Sequence, residues 1–315
     1  MFCLTGGLYL GWALGANNAA NCFGTAVASR IITFRKACIL CGISVLIGAV
    51  LQGQAGIDTL SGLTKQNITA LVIISTASAA TVTLMTVFAL PTSASQAVIG
   101  AIIGAAMVTG DADFSGLKKV FICWIGTPIG AMLMAMIAYK LLDLFLHYVP
   151  MSMLTRDKIL WAGLLIVGIY ASYALGANNV ANATGIFSGQ IEGLSDRNLA
   201  LLGGIAIAAG VLTFSKRVMM AVGSGILTLD AFSALVAVGA MAATTHVFAF
   251  VGVPISTSQG IVGAIIGIAV MRGMRSIKVR FLRNIAFGWL LTPTIALILS
   301  AAAYGIITGG LKTNP

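Results

Sequence analysis

Two short strings concentrate side chains able to bind ions inside otherwise apolar sequence. Asn17, Asn18 and Asn21 lie in GANNAANCFG (Gly15 to Gly24), and Asn178, Asn179 and Asn182 lie in GANNVANATG (Gly176 to Gly185). An asparagine carries one carbonyl oxygen and one NH2 group, so such a cluster can ligate a cation, hold an anion or satisfy an unwound stretch of helix. Amides in hydrocarbon are costly unless they are partnered or line a cavity, so these need a purpose. Gly15 and Gly176 are expected to permit unwinding beside them.

A second pair of strings supplies hydroxyls: Pro91, Thr92, Ser93, Ala94, Ser95, Gln96 and Pro254, Ile255, Ser256, Thr257, Ser258, Gln259. Proline suits a first helical turn, and Ser or Thr suits its cap. A helix that starts inside a protein presents free N–H groups and the positive end of its dipole, which together make an anion site. Two such starts could face one anion.

The elements that position these groups come from an internal duplication. PTSASQAVIGAIIG from Pro91 returns as PISTSQGIVGAIIG from Pro254, and WIGTP from Trp124 returns as WLLTP from Trp289. With the asparagine strings, three motifs recur in the same order at offsets of 161, 163 and 165. The reading is one two-repeat unit, with a first transmembrane repeat over 1–154 and a second over 155–315. Each half holds a long segment with the asparagines, a second helix, two arms joined at the Pro-Ser string, and a last long helix. Paired arms enter and leave on one face, so each half crosses an odd number of times and the second starts inverted.

Composition sets the solvent. Apolar residues make up 59% of the 315 positions and charged residues 8%, which suits a lipid-embedded chain. Eight or more apolar segments recur, near 4–29, 37–57, 68–108, 120–146, 159–189, 198–215, 229–271 and 284–311, against about 20 residues for one helical crossing. The run that begins at Met1 continues through the asparagines, so it reads as a mature segment and not as a cleavable leader. The fold expected is an all-α polytopic membrane protein of two inverted-topology repeats, with broken or re-entrant helices meeting at the bilayer midplane.

The formal charge of +10 comes from short loops and not from one basic face, which argues against nucleic acid as a partner. If 29–36 is cytoplasmic, so are 140–158, 213–228 and 272–283, and these hold 13 of the 18 Lys and Arg. That bias follows the positive-inside rule, with both termini outside.

At this point GANN-x-AN twice, together with P-x-S-x-S-Q twice, resembles the inorganic phosphate transporter (PiT) family, including its sulfate-permease-like branch, over nearly the whole chain. The resemblance implies a multi-pass protein of the cell membrane, commonly a homodimer, that moves phosphate with sodium or protons. It implies substrate contacts from Asn17, Asn18, Thr92, Ser93, Ser95, Asn178, Asn179, Ser256, Thr257 and Ser258. It implies cation contacts from Asn18, Asn21, Gln96, Asn179, Asn182 and Gln259, with no cofactor beyond the coupling ion. The chain departs from the family where the usual aspartate corresponds to Asn18 and Asn179. Neutral oxygens still suit sodium, but the site lacks a carboxylate to accept a proton from hydrogen phosphate. A fully ionised sulfate would be repelled by such a carboxylate, so the substitution makes sulfate permease the alternative function.

Other readings are weaker. An enzyme would need a nucleophile with a base, or a metal cluster, and the two histidines and eight acids are scattered. A non-transporting membrane subunit would not need repeated buried amides and hydroxyls, and a channel would not need the inverted duplication. Asp230 reads as a charge at a helix start and His246 as a partnered interior residue. The four tryptophans read as interfacial anchors or packing groups, and the five cysteines carry no assigned chemistry.

Overall fold

The computed structural model describes residues 2–63, 67–90, 92–109, 117–225, 230–253, 255–273 and 279–312. Pro91, Pro254 and several loop cations of the charge argument (Lys65, Arg275, Lys278) lie outside these residues. The described chain forms twelve α-helices. The first six are α1 (Thr5–Ala28), α2 (Phe34–Gln52), α3 (Gln54–Leu63), α4 (Ile68–Val87), α5 (Ala94–Thr109) and α6 (Leu117–Tyr148). The next six are α7 (Met153–Thr184), α8 (Asp196–Phe214), α9 (Lys216–Gly225), α10 (Ala231–Phe250), α11 (Thr257–Met271) and α12 (Val279–Lys312). They match one for one, α1 with α7 through α6 with α12.

Seven described helices, α2, α4, α6, α7, α8, α10 and α12, are long and apolar enough to cross a bilayer. The protein is a multi-pass membrane protein of two inverted repeats. The helices α5 and α11 have 16 and 15 residues, roughly 24 Å of rise, which falls short of a hydrocarbon core of about 30 Å. They are the returning arms of two hairpins, α4–α5 and α10–α11. Helix α1 is buried on nearly every side and carries the first asparagine string through the centre.

The halves interlock. Each hairpin packs on its own half's first helix, α4 on α1 and α10 on α7, while its short arm packs on the other half's last helix, α5 on α12 and α11 on α6. Likewise α1 packs on α8, and α7 on α2. Glycines make these crossings close. A Cβ at Gly100 or Gly104 of α5 would collide with the backbone of Pro293 or Leu297, and one at Gly263 or Gly267 of α11 with that of Pro128 or Met132. This is the small-residue packing that lets helices associate where no hydrophobic drive separates them from lipid.

The same contacts correct the role expected of Gly15 and Gly176. Helices α1 and α7 run unbroken through both. A Cβ at Gly15 would strike the carbonyl of Ile207 in α8, and one at Gly176 that of Val45 in α2. The glycines admit a neighbouring backbone and do not unwind their own helix. The breaks fall instead between the hairpin arms.

Two of the loops read as one face, 29–36 and 213–228, are brought together. Lys216 lies 5.9 Å from the centre of the Phe34 ring, and Cys38 Sγ lies 3.7 Å from Ser215 Oγ. Asp230 caps α10 by accepting from Ser233 N at 3.1 Å and pairs with Arg272 at 2.8 Å, tying the start of α10 to the end of α11. Partial burial acts to raise the Asp230 carboxyl, but the hydrogen bonds from Ser233 and the charge of Arg272 outweigh it and hold the group below its ordinary value.

Two outcomes follow. Gly100→Ala and Gly263→Ala should each cost about 1–3 kcal/mol by overpacking, seen as a lower melting temperature, whereas Gly305→Ala, which meets nothing within 4 Å, should not. Because the folded-state value of Asp230 is depressed, its contribution is full near neutrality and fades as pH falls through and below the ordinary carboxylate range of about 4. Melting curves of Asp230→Asn and the parent protein should therefore differ at neutral pH and converge in acid.

Candidate functional site

The two asparagine strings and the two hairpin tips meet at the centre of the molecule. All fourteen of the residues assigned to substrate or cation in the sequence are brought there, none more than 5% exposed. The asparagines divide the work by position.

Asn17 and Asn178 hold their own half's hairpin tip. Asn17 Nδ2 donates to Leu90 O at 3.0 Å and to Thr86 Oγ1 at 2.9 Å, while its Oδ1 accepts from Thr92 N at 3.0 Å. Asn178 Nδ2 donates to Ile255 O at 2.9 Å, and its Oδ1 accepts from Ile255 N at 3.0 Å. These amides pair with peptide groups that have left one helix and not yet entered the next. Their polar atoms are therefore spent on positioning.

Asn21 and Asn182 reach across to the other half. Asn21 Nδ2 donates to Thr257 Oγ1 and Ser258 Oγ, both at 3.1 Å, and Asn182 Nδ2 donates to Ser95 Oγ at 3.2 Å. Each serine passes the link on: Ser258 Oγ donates to Thr92 O at 2.9 Å, and Ser95 Oγ donates to Ile255 O at 3.2 Å. The result is a reciprocal ring joining both asparagine strings to both tips. Ser93 Oγ and Ser256 Oγ accept from Gln96 N at 3.3 Å and Gln259 N at 3.2 Å, the N-caps expected of the Pro-Ser strings.

What the ring leaves unspent is more informative. Buried Asn18 Oδ1, Asn21 Oδ1, Asn182 Oδ1, Gln96 Oε1 and Gln259 Oε1 have no hydrogen-bond partner among the described residues. Five carbonyl oxygens of one chemical kind, all in these motifs, form a set of hard ligands with no carboxylate among them. Asn179 differs, since its Oδ1 accepts from Asn182 at 3.4 Å and its Nδ2 donates to Leu175 O at 3.1 Å. Donors are present too. The hydroxyl protons of Ser93, Ser256 and Thr257 find no acceptor among the described residues, and the first-turn amides of α5 and α11 lie beside them.

Sequence reasoning missed Thr86 and Thr292. Thr292 Oγ1 donates to Gly288 O at 2.5 Å and lies 2.5 Å from Thr92 Oγ1, pinning the first tip to α12. The second tip carries Ile255 in place of Thr92, so the pin has no counterpart there. Comparison of WIGTP with WLLTP locates Thr292 but cannot show what it touches.

Two residues singled out in the sequence lie elsewhere. His246 lies between Tyr170 Oη, 2.6 Å from Nδ1, and Gln52 Oε1, 2.7 Å from Nε2, a partnered interior position joining α10 to α7 and α2. Asp230 is at the hairpin base, as described above.

Residues 14–300 match the sequence profile of the phosphate transporter family. The chain belongs to that family. It is 33% identical over 291 residues to a protein of Methanocaldococcus jannaschii provisionally named a phosphate permease, covering 92% of each. It is 27% identical over 300 residues to the sulfate permease CysP of Bacillus subtilis, covering 93% of this chain and 84% of that one. Among solved structures, one titled the sodium-dependent phosphate transporter superposes with a TM-score of 0.85, covering 98% and 99% of the two chains at 22% identity, which shows a shared fold. As a member of this family the chain is a transporter and not an enzyme.

The clips can be tested directly. Asn178→Ala should strand the buried peptide N–H of Ile255, at about 1–3 kcal/mol, and leave its C=O with Ser95 Oγ as its remaining donor. The melting temperature should fall, and so should transport activity per folded molecule. Unchanged melting would show that the amide does not hold the tip.

Proposed function

We propose that this chain is a secondary active transporter that carries inorganic phosphate across the cell membrane, with sodium or a proton as the coupling ion. The observation that carries the reading is the juxtaposition at one buried point of two helix N-termini, which favour an anion, with five unpartnered amide oxygens, which favour a hard cation. An anion and a cation each reduce the cost of burying the other, so the two should bind together.

In this reading the hydroxyls of Ser93, Ser256 and Thr257 and the first-turn amides of α5 and α11 contact the anion. Ser95 and Ser258 are drawn from the ring to join them. Asn18, Asn21, Asn182, Gln96 and Gln259 offer their oxygens to the cation, with Asn179 beside them. Asn17 and Asn178 position the tips, and Thr92 acts through its backbone and its link to Thr292. The halves 1–154 and 155–315 work as one unit, because each contributes one tip and one asparagine string to a shared site. A homodimer is the assembly we propose from the family resemblance.

A specific observation favours a second reading. Asn18 and Asn179 leave the site without a carboxylate, and a fully ionised tetrahedral anion such as sulfate then meets no negative charge and needs no proton acceptor. The likeness to a sulfate permease points the same way.

Purified protein in liposomes should take up labelled phosphate under an imposed sodium or proton gradient. Ser256→Ala should lower kcat/KM about tenfold or more, the weight of one hydrogen bond to a charged acceptor. Uptake of sulfate alone would replace the first reading with the second. Uptake of neither anion would overturn both.

A further inference from the structure

Two repeat-related tryptophans carry a polar group that the site described above does not use. The indole N–H groups of Trp124 in α6 and Trp289 in α12 are buried and have no hydrogen-bond partner among the described residues. An indole nitrogen can only donate, so no rotation or tautomer relieves it. A buried donor without an acceptor costs about 1–3 kcal/mol. The halves have diverged at the tips, Thr92 against Ile255 and Ala94 against Thr257, yet both keep the same costly donor at the same motif position.

Their placement ties them to the hairpin tips. Trp289 precedes Thr292 by three residues, which puts both on one helix face, and Thr292 Oγ1 touches Thr92 at the first tip. Trp124 stands in the same relation to Thr127, and its neighbour Cys123 clusters with Val253 and Ile255 of the second tip. Each tryptophan also lies four residues before a proline inside its helix, Pro128 or Pro293, which removes the N–H that would bond the tryptophan's own carbonyl. Each helix runs on through its proline but lacks that one backbone donor.

We infer that the indole N–H groups of Trp124 and Trp289 are donors to the transported oxyanion, one flanking each hairpin tip. This rests on the proposed reading of the central site as an oxyanion site. It replaces the anchoring or packing role that the sequence suggests for these two residues, while the exposed Trp161 keeps that role. Neutral donors stabilise anionic oxygens without adding charge, and they cannot accept a proton from hydrogen phosphate. They therefore extend the carboxylate-free character of the site and favour the fully ionised form of whichever oxyanion enters.

The test is equilibrium binding of labelled phosphate, and separately of labelled sulfate, to the purified full chain, with a melting curve for each variant. Trp124→Phe and Trp289→Phe keep a large ring and remove only the N–H, and Trp161→Phe is the control. Donation to the anion predicts that each of the first two variants weakens Kd by about tenfold, the weight of one hydrogen bond to a charged acceptor, while Trp161→Phe leaves it unchanged. Removing an orphaned donor should at the same time leave melting of the free protein unchanged or raised. An unchanged Kd in both variants, beside a parent that binds, overturns this inference and leaves the site reading intact. A parent that binds neither anion overturns the site reading and this inference with it.

Discussion

Peptide groups at the buried hairpin tips have left their helices, and in a membrane interior every such group must find a partner within the protein. The rest of the structure depends on how that constraint is met. Asn17 and Asn178 take the place of the missing helix partners, each pairing with tip backbone through both ends of its amide. Only because the tips are held in this way can α5 and α11 begin in the middle of the molecule. Only because they begin there are the first turns of α5 and α11 linked to each other's tips, through Ser95 and Ser258. Aspartate in these two places could accept from the tip N–H but could not donate to the carbonyl, so the amide is required by its two-ended chemistry.

The interlocking of the halves follows from the same geometry. A short arm that stops at the centre exposes its flank to the other half, and the glycines at 100, 104, 263 and 267 let that flank reach the backbone of the opposite last helix. The hydrogen-bond ring then crosses between halves a second time through Ser95 and Ser258. A displacement of either tip must therefore be felt at both asparagine strings. Such an arrangement couples the two hairpin tips through neutral amides and hydroxyls.

Much of this was legible in the sequence, for reasons that can be named. The duplication, the helical class and the meeting of the asparagine and Pro-Ser strings follow from motif recurrence and from the expense of amides in hydrocarbon. The division of labour among the asparagines was not legible. Asn17 and Asn18 are adjacent and identical in type, yet one has its polar atoms consumed by the tip while the Oδ1 of the other is left bare. That difference arises from the 100° that separates successive side chains around a helix, and from which neighbour lies on each side. The role of Gly15 and Gly176 was misread for a similar reason, since a glycine that admits a neighbouring backbone looks the same in sequence as one that releases its own.

The halves are related but not equivalent, and the difference falls at the tips. Thr92 ties the first tip to α12 through Thr292, whereas Ile255 leaves the second tip with apolar contacts to Cys123 and Val253 in the corresponding place. Asn21 finds two hydroxyls on the second tip, while Asn182 finds one on the first and turns to Asn179 for its other contact. A perfectly symmetric pair of hairpins would open towards either face at equal cost. Unequal fastening makes those costs differ, because breaking a buried hydroxyl pair and sliding an apolar side chain are different in energy. In the transport cycle proposed above, such a difference must be small but not zero, so that bound substrate can bias which tip moves.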